Sequence, residues 1–138
     1  MSPTPEQSPA ANPRPARPAR PAFGPGPLRL VVDGREVAPL ALADTPATRR
    51  KGLLGTSAVH GALWITKCPT VHMVGMRYPI DVAILTRAGV VLAVRTLRPM
   101  WGMTAPRWGA SATLECAAGS LEQWGVRPGS QLSVAGLR

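Results

Sequence analysis

Short apolar runs rich in Val, Leu and Ile recur along this chain, each cut off by Gly, Pro or Asp before it reaches helix length. "LRLVVDGREVAPLALA", "IDVAIL", "GVVLAVRTL" and "SATLECA" are the clearest. Turn signals at roughly ten-residue spacing, between runs that alternate on a two-residue period, restrict such a chain to a mainly β fold. Asp33-Gly34 sits between two alternating runs and predicts a hairpin through a type I′ turn. "DTPATRRKGLLG" predicts a short helix with Thr45 as N-cap and Pro46 at its first position, ending by Gly55, with Leu53 and Leu54 facing the core. "GALWITK" predicts a strand with Leu63 and Ile65 on one face and Trp64 on the other, and "TVHMV" reads as β-rich. Val90, Leu92 and Val94 are expected on one face of a later strand, and Ser120 as the N-cap of a one-turn helix with Gln123 completing a capping box. The expected fold is a small antiparallel sandwich or partly closed barrel, jelly-roll-like, with one or two short helices.

The first 27 of the 138 residues differ from the rest, because they hold nine of the sixteen prolines and almost no aliphatic side chains. Such a segment cannot bury enough apolar surface to offset its ordering entropy, so residues 1–27 are expected to be a disordered tail and 28–138 a single β domain. Prolines interrupt every run in the tail that could serve as a secretory signal, and no run is long enough to span a bilayer. A cytoplasmic, monomeric protein is expected. The net charge is +9; Arg14, Arg17 and Arg20 against Glu6 leave +7 on residues 28–138. This field favours anionic partners, but the basic residues are scattered apart from Arg49-Arg50-Lys51, and nucleic acid is not expected as the partner. Cys68 and Cys116 lack metal spacing and are expected as free thiols, and no P-loop, dinucleotide fingerprint or known nucleophile motif is present. No cofactor and no metal are expected.

The stretch "VHMVGMRYPIDVAIL" concentrates the polar candidates. If it folds as a hairpin turning at Met76-Arg77, His72 lies opposite Asp81 on one face, although Pro79 cannot donate to a regular ladder. Asp81 would then orient His72 for ligand binding or for acid/base work; the alternative is a buried pair that merely satisfies two polar groups. The loop "RPMWGMTAPRWGA" adds Arg98 and Trp101, with Arg107 and Trp108, as walls of a ligand site or as a lid on the barrel end. The candidate ligand-binding residues are His72, Met76, Arg77, Asp81, Arg98 and Trp101.

In order, "DTPATRRKGLLG", "VHMVGMRYPIDVAILTRAGVVLAV", "LRPMW", "ATLECAAGS" and "GVRPGSQL" resemble the motif blocks of the family catalogued as domain of unknown function 192, over about Leu28 to Val134. The resemblance implies a small β domain and no defined activity. Its pattern falls on Gly52, Leu53, His72, Met76, Arg77, Pro79, Asp81, Glu115, Gly119 and Gly129. The sequence departs at Ser130, where an acidic residue is usual, and at Cys116, where an aliphatic one is, which suggests a core role for Cys116. The reading is a binding module for a small molecule or a partner, with its polar site around His72 and Asp81. The alternatives are a small enzyme using His72 as general acid/base and an accessory or scaffold protein of an envelope or secretion assembly.

Overall fold

A computed structural model describes residues 2–5, 13–15 and 19–137. Seven strands form one curled sheet: β1 (Leu28–Val32), β2 (Arg35–Ala43), β3 (Ala62–Ile65), β4 (Ile80–Leu85), β5 (Val91–Leu97), β6 (Ala112–Ala117) and β7 (Leu132–Ala135), in the order β5-β4-β6-β3-β2-β1-β7. Of the two forms expected, the partly closed barrel is the one that forms. Its two edges meet at one corner, where Val90 bridges Gln131 and Leu132 donates to the Gly89 carbonyl at 2.9 Å. A side chain at Gly89 would collide with the Leu132 carbonyl, so only glycine permits this closure.

The β1–β2 hairpin turns at Asp33-Gly34, both at positive φ as a type I′ turn requires. β2 and β3 then run parallel, so the chain must cross over between them, and the crossover carries α1 (Pro46–Lys51). Thr45 caps α1 as expected: its Oγ1 accepts from the Thr48 amide and Thr48 Oγ1 accepts from the Thr45 amide, both at 3.1 Å. The helix ends at Gly52 rather than Gly55, and this splits the leucine pair, with Leu53 buried and Leu54 turned outward.

Period-two alternation gives the sheet two faces. Leu30, Leu40, Ala62, Ala83, Leu85, Leu114 and Cys116 pack on one, with Trp64 and Leu121 of α2 (Ser120–Gln123) against them. Leu63, Ile65, Ile80 and Val82 pack on the other, under Leu53, Val71, Met73 and Met76. Each fully buried aliphatic side chain contributes about 2 kcal/mol. β5 buries Val91, Ala93 and Leu97, with Leu92 and Val94 half-buried, as is Val90 just ahead of it; the edge strand's register, set by Ala83 opposite Val94, decides this.

Two expectations are corrected. "TVHMV" is not a regular strand: residues 66–79 arch over the second face, and His72 makes a single antiparallel bridge, to Met103. Ser120 does not cap α2; Gly119 holds the cap position and no side chain of its own neighbourhood caps the turn. In the tail, residues 1, 6–12 and 16–18 lie outside the described residues, but Phe23 pairs with Val59 and exchanges backbone hydrogen bonds of 2.8 Å with Ala58 and His60, so contact with the domain begins ahead of Leu28. No helix among the described residues is long and apolar enough to cross a membrane.

Candidate functional site

Three long connections, 44–61, 66–79 and 98–111, crowd over the second face of the sheet. Connections this long in a compact domain are usually either functional or disordered, and these are tied down. Thr56 Oγ1 donates to the Leu53 carbonyl at 2.6 Å and lies 2.7 Å from the Tyr78 hydroxyl, joining the first connection to the second. Met73 donates to Gly102 and Met100 to Met73, joining the second to the third.

Between α1 and residues 68–76 they leave a cleft of about 110 Å³. Arg49, Arg50 and Lys51 line it from the last turn of α1, where positive charge also suits the helix dipole. Arg49 is held in place by the Asp44 carbonyl, at 2.8 Å. His72, Met76, Cys68 and Thr70 line it from the arch, and Glu115 of β6 from below.

Glu115 is the exceptional residue. It is 6% exposed and lines the cleft. Among the described residues no hydrogen bond to its carboxylate forms, yet no side-chain oxygen is both fully buried and without a partner, so the carboxyl opens on the cleft rather than being sealed. Loss of water around it pushes the carboxyl up to about 7 from an ordinary 4.5. The backbone passes close over it: a Cβ added to Gly52 would lie 3.9 Å from Oε2. Burial also raises the thiol of Cys68, with Glu115 as a further cause, so Cys68 is a poor nucleophile. The same desolvation raises the Tyr78 hydroxyl and, more strongly, the fully buried Cys116. Both cysteines are free thiols.

Asp81 stands elsewhere. Alternation along β4 turns Ile80 and Val82 toward the cleft side and Asp81 away from it. The expected pairing of His72 with Asp81 does not form, because β4 pairs with β5 and β6 and places Asp81 opposite Thr96 and Cys116. Asp81 Oδ1 accepts from Thr96 Oγ1 at 2.6 Å, and Oδ2 accepts from the amides of Gly119 at 2.9 Å and Leu121 at 3.3 Å. It is the remote cap that α2 otherwise lacks. Of the sequence candidates, the cleft therefore gathers His72, at its exposed rim, and the buried Met76; Arg77, Arg98 and Trp101 are exposed outside its lining. Glu115 was reached in sequence only through the family pattern. Its local signal is a lone acid inside a strand whose other residues are apolar or Thr. Among the described residues no three His, Cys, Asp or Glu side chains converge to hold a metal ion.

A single curled sheet with a largely buried carboxyl opening on a cleft under a basic rim defines a small β domain with a polar cleft. The chain belongs to the family of domain of unknown function 192 (DUF192, "Uncharacterized ACR"), whose model matches residues 29–134. Among curated proteins the sequence has no match. In structure it is similar to a "putative transcription regulator" from Sinorhizobium meliloti 1021, at 24% identity and a TM-score of 0.65, over 80% of this chain and 95% of that one. It is equally similar to a protein of unknown function from Novosphingobium aromaticivorans DSM 12444, at 23% identity and a TM-score of 0.65, over 84% and 94%. At these identities the likeness establishes the fold alone.

Proposed function

We propose that the domain is a ligand-binding module whose site is the cleft between α1 and residues 68–76. The observation that carries this reading is Glu115, a largely buried carboxyl that opens on the cleft. A carboxyl whose pKa is raised by burial and which opens on a cleft is where a ligand is expected to bind. The cleft is small against the roughly 300–1,000 Å³ of drug-sized pockets, so the ligand is a small molecule, or one functional group of a larger one. Its chemistry follows from the walls: an anionic group at Arg50, Lys51 and His72 on the rim, and a hydrogen-bonding group meeting Glu115 at the floor. All of these residues come from one copy of the chain.

Thermal-shift screening of small carboxylates, phosphates and hydroxy acids tests the reading, on the parent protein and on Glu115→Leu and His72→Ala. A ligand at a hundred times its Kd adds about 2.7 kcal/mol of stability. The stabilisation should vanish in Glu115→Leu and weaken in His72→Ala. A ligand that stabilises Glu115→Leu as well as the parent places the site elsewhere.

The pKa of Glu115 favours a second reading, an enzyme that uses it as general acid/base, since a group near 7 transfers protons well at neutral pH. Glu115 suits this role better than His72, which stands in solvent. Turnover of the bound molecule, with a pH profile inflecting near 7 that is lost in Glu115→Gln, separates the enzyme from the binding module.

A further inference from the structure

The arch and the third connection together build a second surface beside the cleft, with Leu54 and Val74 shared between the two. Residues 71–76 and 98–104 are zipped by four hydrogen bonds: Met73 N to Gly102 O, Met100 N to Met73 O, and Thr104 N to Val71 O from the backbone, with Val71 N donating to Thr104 Oγ1 at 2.9 Å. These bonds fix large apolar side chains outward. Val74 is 61% exposed, Met100 47%, Met103 72% and Trp101 87%. Leu54 joins them, because the space beside Gly75 is filled by its side chain. A rigid loop pair presenting so much contiguous apolar surface marks an interaction site.

Charge indicates the partner. Residues 45–114 contain one acidic residue, Asp81, and it is buried on the far face. The apolar patch is flanked by exposed Arg50, Lys51, Arg77, Arg98 and Arg107. From this segregation we propose that the patch docks on an anionic lipid bilayer. Trp101, Met100, Met103 and Val74 would enter the interface and the surrounding Arg and Lys would meet the headgroups. A second copy of the chain suits the surface less well, since it would set Arg against Arg. Nucleic acid also suits it less well, since Trp101 alone of these side chains can stack a base, and Val74, Met100 and Met103 offer neither stacking nor hydrogen bonds. The patch shares Leu54, Val74, Arg50 and Lys51 with the lining of the cleft, but Met100, Trp101 and Met103 lie outside it, so variants at these positions test the patch apart from the cleft.

The experiment is co-sedimentation of the full chain with vesicles of phosphatidylcholine alone and of phosphatidylcholine with one quarter phosphatidylglycerol. Binding is expected to the anionic vesicles only, to weaken as salt rises, and to blue-shift tryptophan emission. The double variant Trp101→Ser, Met103→Ser changes only exposed side chains, so its melting temperature should equal the parent's while its vesicle affinity falls at least tenfold. Arg14, Arg17 and Arg20 of the tail are also basic, so unchanged binding by the double variant overturns the proposal. It is also overturned by absent binding, by equal binding to neutral vesicles, by capture of a single-stranded oligonucleotide without vesicle binding, or by self-association that the double variant abolishes.

Discussion

Asp81 and Glu115 are two buried carboxyls on neighbouring strands, one residue apart in register, since Val82 is the partner of Glu115 and Asp81 that of Cys116. They are 5% and 6% exposed. They face opposite sides of the sheet, and their surroundings differ completely. Asp81 accepts three hydrogen bonds and ties α2 and β5 to β4; Glu115 has no such set of partners among the described residues and opens on a cleft. Burial alone does not distinguish structural from functional carboxyls. What each carboxyl faces does, because a desolvated carboxyl held at a cleft costs stability that another role must explain.

The comparison breaks most easily at Asp81. Asp81→Ala removes the acceptor of the Gly119 and Leu121 amides and of the Thr96 hydroxyl, the Leu121 amide being buried, and should cost about 2 kcal/mol in urea unfolding; a loss below about 1 kcal/mol would mean that α2 does not depend on it. Glu115→Gln should act in the opposite direction. The folded-state pKa of about 7 lies above the ordinary 4.5, so the native protein holds a proton that the unfolded chain releases. The associated stability is fully present below pH 4.5 and is lost as pH rises to about 7. Gln stays neutral throughout, so at pH 8 the variant should be more stable than the parent by about 3 kcal/mol, and at pH 4 the two should match. Thr45→Ala removes the cap of the helix that carries the basic rim and should cost about 1 kcal/mol. His72→Ala, at an exposed position, should stay within about 0.5 kcal/mol of the parent; a larger loss would make the rim histidine part of the scaffold after all.

Much of the architecture is legible in the residues. Asp33-Gly34, the Thr45-Pro46 start of α1 and the alternation of Leu63, Trp64 and Ile65 each carry a local physical cause, and each folds as that cause dictates. The departures come from pairings that no local pattern encodes. The parallel β2–β3 contact is one, and it creates the crossover that builds the cleft. Residues 71–76 bind the distant 98–104 instead of hairpinning onto β4, which separates His72 from Asp81. Asp81 reads as buried from its setting between Pro79 and an apolar strand, but its partners at Gly119 and Leu121 lie far along the chain. Glu115 carries the site because of what is missing around it, which a sequence cannot display.

The most direct measurement is an NMR titration of the Glu115 side-chain carboxyl in the intact protein, assigned by its loss in Glu115→Gln. The account predicts a midpoint near 7 that shifts when a cleft ligand from the thermal screen is added. A midpoint near 4.5, unmoved by such a ligand, would mean that the carboxyl is solvated or satisfied and that the cleft is not the site.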